Sequence, residues 1–262
     1  MATMHAYSLG TPCWFELGTT DQAAAKSFYG QLFGWAAQDS PVGGGEFYTI
    51  FELGGRSAGA AYKLSPRLVA SGVPARWIVY FATPNVDASA AEVVELGGTL
   101  MQPPFDVMDV GRMVNCKDPG GAPFALWQAK RHIGAGVINE INSVCWSELA
   151  TWDTGQARTF YEGLFGWETK SAVNMETYFE FSTDGVERGG LLPMDENWKE
   201  GAPSYWGIYV RVADCDATVA KAKELGASVK YGPFDAPGVG RIAALDDPQG
   251  AGFSVIQLEP SK

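Results

Sequence analysis

The stretch CWFELGTTDQAAAKSFYGQLFGW, from Cys13 to Trp35, returns as CWSELATWDTGQARTFYEGLFGW from Cys145 to Trp167 and aligns with it without a gap. Cys13/Cys145, Trp14/Trp146, Glu16/Glu148, Asp21/Asp153, Phe28/Phe160, Tyr29/Tyr161, Leu32/Leu164 and Trp35/Trp167 coincide. So many chemically distinctive identities in a short window mark a tandem duplication rather than shared composition. Working outward, Tyr80/Tyr209 and Asp87/Asp216 repeat, as do ELG at Glu95 and Glu224, PFD at Pro104 and Pro233, VGR at Val110 and Val239, and DPxGA at Asp118 and Asp247. The offset falls by three residues between the early and late motifs. The change lies around SPVGGGE and SAVNMET, loop-like stretches where a length change costs little. Two domains follow, residues 10–130 and 141–259, joined by a linker at 131–140 that contains RHIGAGVINE.

Each copy reads the same way. A short apolar run (Cys13 to Leu17) precedes a helix with Ala25, Phe28, Tyr29 and Leu32 on one face and Asp21 as N-cap. Strand-like FYTIFEL and SAGAAYKL follow, separated by a glycine turn. After Pro74 the order recurs: a strand in WIVYFA, a helix from about Asp87 to Leu96 stopped by Gly97-Gly98, then strands around LMQPPF, RMVNC and PFALWQ. Each domain is thus two βαβββ units, and the chain is α+β with four of them.

The 262 residues, 46% hydrophobic and 19% charged, describe a globular chain with room for two cores. A net charge of −11 repels phosphate backbones and anionic lipid, so neither nucleic acid nor membrane is expected as a partner. With no long apolar window and no basic, apolar leader at MATMHAYSLG, a cytoplasmic location is expected. Cys13, Cys116, Cys145 and Cys215 form no CxxC pair and are expected to be reduced. His5 and His132 are the only histidines, so any metal site would lean on carboxylates.

AKSFYGQLFGW and ARTFYEGLFGW, the ELGG and ELGA helix ends, and GRxxxxxDPxG before a final strand resemble the vicinal oxygen chelate superfamily of glyoxalases, extradiol dioxygenases and bleomycin-resistance proteins. The likeness runs from about Thr11 to Glu259 and is greatest to tandem glyoxalase-like proteins of actinobacteria, some of them labelled hydroxylases. It implies two glyoxalase-like domains with cupped mixed sheets, each with a site on the concave face. The family's metal-ligand slots are implied to fall on Trp14, Trp77 and Ala125 in the first domain, and on Trp146, Trp206 and Ser254 in the second. Indole is only a donor and Ala offers nothing, so no metal and no cofactor is expected.

Strand alternation places Glu16 on the face of Trp14, and Glu148 on that of Trp146. A carboxylate beside indoles in a cup would be desolvated and suited to proton transfer; it could equally be a structural acceptor at a domain junction. Trp14, Trp77, Trp146 and Trp206 open strands and are read as pocket lining or core packing, with Trp127 joining the first wall. Arg112 and Arg241 could anchor a carboxylate or enolate, or tie loops through Asp118, Asp247 or a facing acid. Tyr80 and Tyr209 are expected under the helices. Cys13 and Cys145 are expected to point away from the glutamates, with no base near to activate them. The functional expectation is a metal-independent protein that binds a hydrophobic or aromatic small molecule in Trp-lined cups, as a monomer with an internal pseudo-dimer or as a homodimer. One alternative is a lyase, isomerase or hydroxylase-like enzyme using Glu16 or Glu148 for proton transfer; another is a structural or partner-binding protein whose cups are filled by Trp side chains.

Overall fold

A computed structural model of the chain describes residues 6–172 and 175–259; His5 lies outside them. The first repeat runs β1 (Pro12–Thr19), α1 (Gln22–Phe33), β2 (Ala36–Gly43), β3 (Glu46–Leu53), β4 (Arg56–Lys63), α2 (Pro66–Ala70), β5 (Arg76–Ala82), α3 (Val86–Glu95), β6 (Thr99–Leu100), β7 (Phe105–Val107), β8 (Gly111–Lys117) and β9 (Pro123–Ala129). The second runs β10 (Val144–Thr151), α4 (Thr154–Phe165), β11 (Glu168–Ala172), β12 (Met175–Thr183), β13 (Val186–Pro193), β14 (Tyr205–Arg211), α5 (Cys215–Glu224), β15 (Ser228–Ala236), β16 (Gly240–Asp246) and β17 (Gly252–Leu258).

Local chemistry sets the helix ends. Asp21 caps α1 by accepting from the Ala24 amide at 3.0 Å, and Asp153 caps α4 through Gln156 at 2.8 Å. Both helices stop at a left-handed glycine, Gly34 or Gly166. β2 was not legible as a strand because AAQDSPVG is exposed throughout and pairs only through β3.

Each repeat builds one mixed sheet, ordered β2-β3-β4-β1-β5-β9-β8-β6 with β7 beside β8, and β11-β12-β13-β10-β14-β17-β16-β15. The two βαβββ halves of a sheet meet at an antiparallel pair, β1/β5 or β10/β14. Parallel pairs β1/β4 and β5/β9 close each half. The sheets turn their helix-bearing faces toward each other, with β5 against β14. Phe81 sits there within 5.0–5.6 Å of the rings of Trp206, Phe165 and Trp167, and Phe253 meets Phe28 and Tyr29 from the other side.

Polar bonds lock this aromatic layer. The Tyr29 hydroxyl accepts from Trp77 Nε1 at 3.1 Å and donates to Asp247 of the other repeat at 3.0 Å. Tyr161 accepts from Trp206 at 2.8 Å and donates to Asp118 at 3.1 Å. Each Asp also holds its own DPxGA turn by accepting from Ala122 or Ala251. The repeated FY and DPxGA motifs therefore bond reciprocally across the duplication. Buried polar groups satisfied this way make the pairing specific as well as stable.

Candidate functional site

Register decides which side chains share a face. β1 pairs Trp14 with Tyr80, Glu16 with Ile78, Leu17 with Trp77 and Gly18 with Arg76. Cross-strand partners lie on one side of a sheet, so Trp14, Glu16, Gly18, Arg76, Ile78 and Tyr80 line the face away from the helices, the cup. β9 adds Ala125 opposite Tyr80 and Trp127 opposite Ala82. In the second sheet Trp146 pairs with Tyr209, Glu148 with Gly207, and Tyr209 with Ser254.

The same register corrects several expectations. Trp77 pairs with Leu17 and Trp206 with Leu149, on the helix side, where their indoles donate to Tyr29 and Tyr161. Neither lines a cup; both are core. Tyr80 and Tyr209, expected beneath the helices, face the cups. The phase was lost because an antiparallel partner reverses the direction of counting, and a slip of one residue exchanges the faces. Arg112 and Arg241 also lie outside the cups. Each guanidinium forks onto a helix acid, Asp87 or Asp216, and reaches a second acid, Asp106 or Asp235. Their partners are thus not Asp118 and Asp247, which serve Tyr161 and Tyr29.

Within each cup one carboxylate is held by phenols. Tyr80 donates to Glu16 Oε2 at 2.6 Å; Tyr48 also faces Glu16, and its hydroxyl accepts from Trp14 Nε1 at 3.0 Å. In the second cup Tyr209 donates to Glu148 Oε1 at 2.5 Å, Tyr178 to Oε2 at 2.9 Å, and Trp146 Nε1 donates to Tyr178 at 3.2 Å. Burial raises both carboxyls above the usual range, and the phenol donors offset only part of that rise. Desolvation and the facing carboxylate push Tyr48, Tyr80 and Tyr209 well up, so the phenols stay neutral donors. Gly190 makes room for one of them, since a Cβ there would stand 2.0 Å from the Tyr178 hydroxyl. Tyr48 and Tyr178 were missed in the sequence, although FYTIF and TYFEF place a tyrosine in matching strands of the two repeats.

The cups differ in cover. Residues after β9 run back over the first sheet, with Ala135 N bonded to Cys13 O at 2.7 Å and Gly136 N to Ser57 O at 2.7 Å. This strap sets His132 edge-on to Trp14, with ring centroids 4.5 Å apart, and Trp127 Nε1 donates to the His132 carbonyl. Trp14 and Tyr80 are each only 3% exposed, whereas Trp146 and Tyr209 are partly open to solvent.

With the register corrected, the central rows read Trp14, Tyr80, Ala125 and Trp146, Tyr209, Ser254. These offer phenol, indole, methyl and hydroxyl groups, a donor set unsuited to a divalent cation. Among the described residues no three His, Cys, Asp or Glu side chains come together to hold one. The four cysteines are free, and burial raises all their thiols, Cys116 and Cys145 to about 12. No described helix is long and apolar enough to cross a membrane.

The Glyoxalase/Bleomycin resistance protein/Dioxygenase superfamily model matches residues 13–126 and again 139–255, and the chain belongs to that family. It is 43% identical over 260 residues to the Mycobacterium tuberculosis protein named "Putative glyoxylase CFP32", covering 98% of each chain. It is 39% identical over 271 residues to the anthracycline biosynthesis protein DnrV of Streptomyces peucetius, covering 97% of this chain and 96% of that one. Among solved structures, a variant of homoprotocatechuate 2,3-dioxygenase from B. fuscum superposes with a TM-score of 0.67 at 16% identity, over 97% of this chain and 73% of that one. At that identity the likeness concerns the fold.

Proposed function

We propose that the protein binds a hydrophobic or aromatic small molecule in its cups without a resident metal, the glutamate of each cup serving as the buried polar contact. The observation that carries this is the Glu148 cluster, in which both carboxylate oxygens already accept from phenols and the Trp146 indole donates to one of those phenols. A carboxylate so engaged is a poor metal ligand, while Trp146, Tyr178 and Tyr209 supply faces on which a flat molecule stacks. A relative whose name places it in anthracycline biosynthesis is in keeping with such a ligand. The net charge of −11 favours neither nucleic acid nor anionic membrane as a partner.

The test is elemental analysis of untagged protein together with tryptophan fluorescence during titration with planar aromatic compounds. Substoichiometric metal and saturable quenching are expected. About one tightly held transition metal per cup, or no response to any compound, would overturn the reading.

The raised carboxyls of Glu16 and Glu148 favour a second reading, an isomerase, lyase or hydroxylase-like activity in which one of them moves a proton. Glu16→Gln and Glu148→Gln keep the shape and remove the base. Turnover surviving in the double variant with an unchanged pH profile excludes that role.

A further inference from the structure

Arg76 is the odd charge of the first cup. Arg56, Arg112, Arg131, Arg158 and Arg241 each hold a carboxylate, Arg188 and Arg211 donate to Thr183 and to the Asn139 carbonyl, and Arg67 is exposed on α2. Arg76 is half-buried on the cup face, yet among the described residues it takes part in no ion pair and no hydrogen bond. None of its nitrogens is shut away from solvent, so the fork stands free to take an anion that arrives from outside. Burial pulls Arg76 down from its ordinary pKa, and the facing ionisable group that opposes this is Tyr62.

The surroundings of Arg76 form a built row. Gly18 pairs with Tyr62 on one side and with Arg76 on the other, and Tyr62 pairs with Tyr48. A Cβ at Gly18 would stand 3.0 Å from the Tyr62 hydroxyl, so the phenol lies over the glycine, toward the arginine strand. The next row along carries Glu16 and Ile78, and the one beyond it Trp14 and Tyr80. Two residues of strand advance about 7 Å, so Arg76 stands roughly 7 Å from the Glu16 row and 13 Å from the Tyr80 row. The strap and His132 close the Trp14 end, whereas Arg76 and Tyr62 at the other end are partly open to solvent.

The second cup lacks this arrangement. Ala150 stands where Gly18 does, with Leu192 in place of Tyr62 and Tyr205 in place of Arg76. The nearby carboxylates are Glu148 and Asp246, both of which raise Tyr205. That end therefore disfavours an anion.

We infer that the first cup takes a small organic carboxylate with an apolar or aromatic body, its carboxylate on the Arg76 guanidinium beside Tyr62 and its body extending toward the Glu16 row. The inference rests on the reading of the cups as small-molecule sites and adds the charge of the ligand and the cup that takes it. A planar fork matches a carboxylate in two hydrogen bonds. Non-specific attraction does not account for such binding, because the chain as a whole repels anions.

The experiment is calorimetric titration of the full chain with 2-naphthoate and with uncharged 2-naphthamide. One naphthoate per chain is expected, bound more tightly than the amide. Arg76→Gln weakens naphthoate about tenfold or more and leaves the amide unchanged, Arg76→Lys keeps part of the preference, and Tyr62→Phe loses a few-fold. Arg112→Gln, on the helix side, changes neither. Equal affinities of wild type for the two probes overturn the carboxylate subsite while leaving the small-molecule reading in place, a conclusion that needs no variant to fold. Binding of neither probe overturns both.

Discussion

Both cups have the same floor, a glutamate held by two tyrosines with a tryptophan donating to one of them, yet Trp14 and Tyr80 are almost fully covered while Trp146 and Tyr209 are partly open. The cover over the first is the strap that joins the repeats. Duplication copied the sheet, and the chain that connected the copies was then free to fold against one of them. The rims differ as well: Tyr62 and Arg76 in the first cup answer to Leu192 and Tyr205 in the second. A duplicated scaffold can thus keep one chemistry at the floor while its two mouths diverge.

The largest test of this contrast is truncation of the floor tryptophans. Trp14→Ala should cost about 3 to 5 kcal/mol in denaturant unfolding, since the indole is buried and packed on His132. Trp146→Ala should cost clearly less, because its ring already meets solvent. Equal losses would show that the strap adds no burial worth the name.

Next in size is Gly190→Ala. The new methyl drives Tyr178 off Glu148, and about 1 to 3 kcal/mol of stability should go with it, together with any ligand response of the second cup. The register equivalent in the first cup is already Ala60, opposite Glu16, so that cup should keep its response.

The glutamates give a pH-dependent test. Because burial raises Glu16 and Glu148 in the folded protein, the stability linked to them is complete below the ordinary carboxyl pKa of about 4.3 and is lost as pH climbs through the raised value. The Gln variants lack that loss. Unfolding free energies measured from about pH 4 to pH 7 should therefore move in favour of the Gln variants as pH rises. A flat difference for one glutamate and a slope for the other would separate the two floors.

The smallest effect belongs to Arg112→Gln and Arg241→Gln. Each breaks an exposed pair outside the cups, so thermal unfolding should register at most about 1 kcal/mol, with ligand response intact.

Much of this molecule is visible in its sequence. The duplication is written in Cys13 to Trp35 and Cys145 to Trp167, and the helix starts in Asp21 and Asp153, whose side chains act within three residues of chain. Glu16 and Glu148 sharing a face with Trp14 and Trp146 also follows from alternation along a single strand. Which residues of neighbouring strands join them does not. Strand period is two, so placing Trp77 or Tyr80 in the cup depends on the pairing of β1 with β5 to within one residue, a relation between segments some sixty residues apart that only the assembled sheet sets. The cover of the first cup by His132, the unpaired charge of Arg76 and the bonds from Tyr29 to Asp247 and from Tyr161 to Asp118 are likewise tertiary facts, because each depends on where distant backbone comes to rest. Local hydrogen bonding and periodicity act over a few residues and can be read from them; register, cover and desolvation are properties of the packed chain.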